Sequence, residues 1–406
     1  MIMNSGNGIL SWIQSVARVW AREFRLVFGD MGVIIFFFLL PLGYPVIYTL
    51  IYNTEVIRNL PIAVVDHSRS PESRELARMI DATSALEVYD YCPDIPAARR
   101  LSNEKKVFGV LEIPADYARK IGRGEQTQVT YYADMSLLLR YRAALSALTD
   151  VQLSLGDDIR GETIDNLGLV AQSLGGNSIS NDAVFTGDPT QGFASFIIPG
   201  IIVLILQQSM VLGITMIAGG VSERRRRNRG YDPMSVQAPA GATIIGKTLC
   251  YLVCYIPMTL YVLHIVPMMF SLPHVGSIWH SFTFILPLLL ASAMLGQFIG
   301  VFVTERESSM LVVVFTSVVF LFLSGLTWPR YAMSPFWTLV SDAIPATWGV
   351  EGFIRINSNG ATLAEESHPY TMLWILTGVY FVAAYIMRRI GFGKKKAEAY
   401  ADGGKI

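Results

Sequence analysis

Residues 248–304 contain no Asp, Glu, Lys or Arg. A bilayer core about 30 Å thick is crossed by about 20 helical residues, so this run is too long for one crossing. It fits two, as a hairpin turning at residues 271–277. The same ruler picks out further apolar, charge-poor stretches at 31–54, 191–221, 308–328 and 370–389. The expectation is therefore an α-helical membrane protein with six transmembrane helices. Composition agrees, since 52% of the 406 residues are hydrophobic and only 16% charged, with zero formal net charge. That balance excludes an ordinary soluble enzyme and offers nothing to a nucleic acid.

The basic residues say how such a chain is oriented. Arg224, Arg225, Arg226, Arg227 and Arg229 crowd the segment after the second span, and Arg388, Arg389, Lys394, Lys395 and Lys396 follow the sixth. An Arg or Lys at the bilayer centre costs about 2.5–3.5 kcal/mol, and such residues accumulate in short cytoplasmic loops. Both clusters, the loop 222–247 and the tail 390–406, are expected inside, with both termini cytoplasmic. Ahead of the first span, Ile13, Val16, Ala17, Trp20, Phe24 and Val27 recur at helical spacing, with Arg18, Arg22 and Arg25 opposite. Residues 1–30 thus read as an amphipathic helix lying along the membrane surface, or, less favoured, as a soluble packing helix.

Between spans one and two, residues 55–190 have the composition of a soluble domain on the external side. Residues 62–65, 85–89, 107–113 and 128–132 alternate as strands do, and 72–80, 95–101 and 115–121 as helices do. This predicts an inserted α/β domain. A longer helix over 136–158 places Leu138, Tyr141, Leu145, Leu148 and Leu155 on one stripe, to pair with another chain or pack on its own domain. The Gly-, Ser- and Asn-rich stretch 173–188 reads as a linker. Residues 329–369, rich in Pro and aromatics and interrupted by Asp342, are expected as external interfacial helices.

One pattern invites a different function. Residues 241–248, GATIIGKT, satisfy the spacing of a phosphate-binding loop, in which backbone N–H groups cradle phosphates and a Lys reaches the terminal ones. Such a loop follows a buried strand and opens a helix in a parallel sheet, whereas here a polar loop precedes it and a span follows. Asp66, the acidic residue that could serve it, belongs to the domain expected on the other side of the membrane. Lys247 is instead expected to be a membrane-interface anchor. Gln207, Gln208 and Gln297 are polar positions inside spans, candidates for a transport path or for interhelical hydrogen bonds. Gly296 and Gly300 form a GxxxG packing pair. Cys92, Cys250 and Cys254 read as small hydrophobes, and Asp66, His67 and Ser68 as a turn. No nucleophile, paired-carboxylate or metal spacing is present, so no catalytic or metal-binding residues are expected.

Together these residues resemble the membrane subunit of ABC type-2 exporters, permeases with a large external domain between spans one and two. Ile197–Gly200 matches the apolar-Pro-Gly step that opens the family's second span. Glu223, the arginines, Gly230, Pro239, Gly246 and Lys247 fill the family's first cytoplasmic loop. Residues 323–355, LSGLTWPRYAMSPFWTLVSDAIPATWGVEGFIR, follow its pattern after span five. Tyr231 stands where the family has Thr, and the interval from Pro239 to Gly246 is short. The resemblance implies a non-enzymatic permease in a bacterial inner membrane, moving a drug, lipid or polymer outward. It implies a separate ABC ATPase that holds the ATP and Mg, with no cofactor on this chain. A second permease, as homodimer or heterodimer, and a periplasmic adaptor would complete the assembly. Glu223, Arg224, Arg225, Arg226, Arg227, Gly230 and Pro239 would form the ATPase-coupling surface. The alternative is a membrane-anchored external scaffold or receptor without transport activity. A proton-driven carrier is disfavoured because no charged residue is expected within the membrane.

Overall fold

The structure is a computed structural model that describes residues 5–52, 56–135, 138–166, 192–272 and 274–402. It divides into two compact units, one of residues Met1–Asn53 with Phe185–Ile406 and the other of Thr54–Val184.

Helix α1 (Ser5–Phe28) is followed by α2 (Met31–Ile51). The break between them is local chemistry: Gly29 ends α1, and the Asp30 carboxylate accepts the Gly32 N–H at 3.1 Å, capping α2. The circumference of α1 has three sectors. Ser15, Val16, Val19, Glu23, Leu26 and Val27 are buried, Ile9, Ile13 and Trp20 are exposed, and the arginines form the third. The helix therefore packs on protein along one arc, which the two-sided reading of its apolar residues did not anticipate.

The second unit contains β1 (Leu60–Asp66), α3 (Pro71–Asp81), β2 (Leu86–Tyr91), α4 (Ile95–Asn103), β3 (Gly109–Ile113), α5 (Tyr117–Gly122), β4 (Thr130–Ala133) and α6 (Leu138–Asn166). The sheet runs β2-β1-β3-β4, with β1 parallel to both neighbours and β4 antiparallel to β3. Parallel strands are covered on both faces. Accordingly, Ile62 and Val64 pack with Leu76, Ile80 and Val151, while Ala63 and Val65 pack with Ala98 and Val107. The Asp66 carboxylate accepts from the Ser68 and Arg69 N–H groups and from Ser73 Oγ, so it organises the turn into α3. On α6 the buried stripe is Ala144, Ala147, Leu148 and Val151, whereas Leu138 and Leu145 of the expected stripe are exposed. The helix thus packs on its own domain, along an arc rotated from the expected one. The expected linker at 173–188 lies outside the described residues.

The chain then forms α7 (Phe193–Arg227), α8 (Ala240–Met269), α9 (Ile278–Ile299), α10 (Arg306–Leu323), α11 (Pro335–Asp342), α12 (Pro345–Asn359) and α13 (Ser367–Asp402). Among the described residues six helices are long and apolar enough to cross a membrane: α2, α7, α8, α9, α10 and the Ser367–Ile390 part of α13. Helix α7 is apolar all round and is the centre of the bundle, touching α2, α9, α10 and α12. At 1.5 Å per residue its length is about 52 Å, so its arginine end projects well past a core of about 30 Å. Bare positions set the crossings. A Cβ on Gly296 or Gly300 would meet Ile214 or Ala218, and one on Gly213 would run into the Phe37 ring.

Two spans depart from α geometry at matching places. In α2, residues Ile35–Leu39 form a π-turn immediately before Leu40 and Pro41; in α8, Tyr261–Ile265 do so before Val266 and Pro267. A proline clashes with the carbonyl four residues earlier and cannot bond to it. The wider turn shifts bonding to five residues back, with Leu40 N–H reaching Ile35 O and Val266 N–H reaching Tyr261 O.

Helix α12 corrects the expectation of surface helices over 329–369. Phe336, Trp337 and Leu339 of α11 are exposed as expected, but Thr347, Trp348, Val350, Phe353 and Ile356 of α12 are buried against α7, α9 and α13. Gly349 and Gly352 permit this, because a Cβ there would strike Leu288 or Phe284. The Ile197–Gly200 step meets the segment after α10 directly, with Leu326 against Gly200.

Candidate functional site

One network of charged residues gathers at the end of the bundle that carries the arginine loop, and a second joins Arg330, Asp342, Glu351, Arg355 and Glu366. Gly219 and Gly220 let the last turns of α7 lie against residues 305 and 306; a Cβ on Gly219 would stand 2.8 Å from the Arg306 nitrogen and the Glu305 carbonyl oxygen. Ser222 Oγ donates to Val303 O at 3.2 Å. Glu223 accepts the Arg306 N–H at 2.8 Å, the first amide of α10, and lies 3.4 Å from Arg306 Nε. Glu305, at the N-cap position, makes no side-chain cap of its own, so Glu223 caps α10 from another helix. Arg306 also reaches Asp30 at 2.6 Å, and Arg226 reaches Glu305 at 2.7 Å.

The loop itself, residues 228–239, is built around Asp232. This carboxylate is buried and bonded to Arg22 at 2.8 Å, Arg224 at 3.1 Å and the Met234 N–H at 3.2 Å. Arg22 Nε also donates to Met234 O, pinning the loop to α1. Burial pushes the Asp232 carboxyl up, but the Arg224 and Met234 hydrogen bonds and the charges of both arginines outweigh it and hold it below its ordinary value. Gly230 has φ +92, a left-handed conformation that favours glycine. At the far end of the loop the Pro239 carbonyl accepts from the N–H and hydroxyl of Thr243 in the first turn of α8.

The expected coupling residues thus separate into two kinds. Glu223, Arg224 and Arg226 are turned onto α10 and Asp232, and Gly230 and Pro239 shape the loop. Arg225 is half-buried, whereas Arg227, Arg229, Tyr231 and Met234 face outward. Sequence reasoning missed Asp232, Arg22, Arg306 and Asp30; Arg22 and Asp232 lie 210 positions apart, and Arg306 and Asp30 are farther apart still.

Residues 241–248 lie within α8, and from Thr243 onward their amides bond within the helix, so they do not form the loop of a phosphate cradle. Lys247 is placed otherwise than as an interface anchor. Its side chain is buried and its Nζ lies 2.7 Å from Glu23 Oε1, to which Tyr251 Oη also donates. The physical reason is close approach: a Cβ on Gly246 would stand 2.8 Å from Val16 O, so α1 covers this face of α8. A buried ammonium is stabilised by a facing carboxylate, and extension to water is blocked. Burial pushes Glu23 up, and Lys247, Tyr251 and Arg22 more than compensate, holding it below its ordinary value. A signal existed in the sequence, since Glu23 falls within the arc of Val16, Val19 and Val27.

The glutamines differ from one another. Gln297 donates to Thr248 Oγ1 at 2.8 Å, tying α9 to α8. Gln207 is fully buried, and neither its amide nitrogen nor its oxygen has a hydrogen-bond partner among the described residues. Gln208 is buried with its amide nitrogen unpartnered among them. Beside them, Tyr255 donates to Ser209 at 2.9 Å. No group of three metal-ligating side chains occurs among the described residues.

No curated protein matches the chain. The sequence model of the ABC-2 family transporter proteins matches residues 31–386, running from the start of α2 nearly to the end of the sixth span. With six helices able to cross a membrane and a family match over most of its length, the chain is a multi-pass membrane protein that belongs to the ABC-2 transporter family.

Proposed function

We propose that the chain is the permease subunit of an ATP-binding cassette exporter, moving a drug, lipid or polymer outward with ATP hydrolysed on a separate chain. The observation that carries this reading is the projecting end of α7. It presents Arg227, Arg229, Tyr231 and Met234 on a loop that Asp232 and Arg22 hold fast. A force applied there reaches α1, α7 and α10 at once, as a coupling surface requires. Arg227 and Arg229 are its contact residues, and Glu223, Arg224 and Arg226 brace it from within.

On this reading the arginine end is cytoplasmic, and residues 54–184 form an external domain that meets cargo or a periplasmic adaptor. The membrane is a bacterial inner membrane. Helix α10 leaves Leu311, Phe315, Val318 and Phe322 exposed, a face available to a second permease. Gln207 and Gln208, whose amide nitrogens have no partner among the described residues, belong to the transport path, whereas Gln297 serves packing. The test is affinity purification of the full chain from its native membrane. Retention of an ATPase that is lost on Arg227→Glu/Arg229→Glu supports the reading, and absence of any ATPase from the wild-type complex overturns it.

A further inference from the structure

The family reading leaves one feature unused, the ion pair between Glu23 and Lys247. Both side chains are buried, they lie 2.7 Å apart, and Tyr251 shares the same carboxylate oxygen. Three neighbouring contacts restrict the same joint. Gly246 admits the backbone of α1 to within contact of α8, Arg22 binds the Asp232 carboxylate, and Arg22 Nε holds the Met234 carbonyl. Residues 22 and 23 thus bond in two directions, one to the arginine loop and the next to the first turns of α8. Beyond Tyr251 the contacts continue through Phe37, with ring centroids 5.9 Å apart, to Tyr255 at 4.6 Å, and Tyr255 donates to Ser209 in the middle of α7.

We infer that Glu23 is a positioning residue that locks α1 to α8, so that a displacement of the arginine loop is delivered to span three as a rigid-body movement. This rests on the proposed coupling to an ATPase. A buried ion pair is a poor source of stability, because desolvation offsets its attraction, yet removing one partner leaves a buried charge uncompensated. Such a pair enforces geometry: α1 cannot slide or roll on α8 without separating the charges. Hydrophobic contact between Val16, Val19 and α8 is non-directional and would tolerate such a slip.

The test uses the full chain in complex with its co-purifying ATPase, with Cys92, Cys250 and Cys254 replaced by alanine. Spin labels at A17C and L249C report the α1–α8 distance, and labels at A17C and V314C report α1–α10. On trapping with ATP and vanadate, the first distance is expected to stay within its resting distribution while the second shifts. The variant for the lock is Glu23→Gln/Lys247→Met, which removes both charges of the pair together, and the thermal midpoint of the assembled complex reads whether folding and assembly are kept. In this variant the α1–α8 distribution should broaden and shift on trapping, and ATP hydrolysis by the complex should fall about tenfold. A wild-type α1–α8 distance that changes on trapping overturns the inference. So does a double variant that keeps both the fixed distance and the wild-type hydrolysis rate, since the pair then matters only for folding. Absence of any associated ATPase overturns the functional reading and this inference together, whereas the two preceding outcomes sink the inference alone.

Discussion

Glu223 tests whether the end of α7 is an internal strut. Its carboxylate accepts the first amide of α10 at 2.8 Å and approaches Arg306 Nε at 3.4 Å. Replacing it with alanine removes a helix cap, worth about 1 kcal/mol. It also removes a negative charge from the positive end of a helix dipole, about 0.5 kcal/mol. The ion pair is partly exposed and adds no more than about 0.5 kcal/mol. The sum is about 2 kcal/mol, on the order of 30-fold in the folding equilibrium. Glu223→Gln keeps an acceptor oxygen in place and should lose only about half as much. The assay is thermal unfolding of the purified chain in detergent, followed by reaction of the buried cysteines with a maleimide fluorophore. The expected order of midpoints is wild type, then Gln, then Ala. Equal midpoints for all three would show that the cap carries no energy, and a Gln variant as weak as Ala would assign the effect to charge alone.

Gly213→Ala drives a Cβ into a Phe37 ring held edge-on by Tyr255. Overpacking costs about 1–3 kcal/mol, and Phe37→Leu in the same chain should recover most of the lost midpoint. The two buried glutamines should respond with opposite sign. Gln297→Leu forfeits an interhelical bond worth about 0.6–1.7 kcal/mol, whereas Gln207→Leu removes an unpartnered amide and should stabilise the resting protein by about 1 kcal/mol, both read as midpoint shifts. Asp232, depressed below 3.8 in the folded state, contributes stability that is full above 3.8 and disappears as pH falls through its lower folded value. Asp232→Asn should therefore be weaker than wild type at neutral pH and should lack that acid-side decline in an unfolding series against pH.

The spans are legible in the sequence because lipid demands an uninterrupted apolar length, and the strands of the α/β unit because β1 and β3 are short apolar runs separated by helical periods. The long-range ion pairs are not. Glu23 stands alone on a helix whose arginines command attention, and nothing near it in sequence announces that Lys247 approaches from 224 positions away. Lys247 itself carries the pattern of an anchor, and only the bare Gly246 beside it explains why α1 closes over it. Gln297 and Gln207 are chemically identical positions in apolar helices, and only the neighbouring Thr248 separates a partnered amide nitrogen from an orphaned one. Helix α12 escapes notice because its glycines suit a close crossing as well as a surface turn.

The π-turns before Pro41 and Pro267 bear on which insertions and deletions these helices can survive. Each contains one residue more than an α turn would use, and one residue corresponds to about 100° of rotation. Deleting a single residue from Ile35–Leu39 would return α2 to α register and swing everything on one side of the turn by that angle. Phe37 would leave the gap over Gly213, or Thr49 would trade its buried position for the bilayer. Single-residue changes in length should thus be rejected at these two places, and substitutions of similar shape accepted. A length constraint of this kind is written into the helix before any residue of the site is considered.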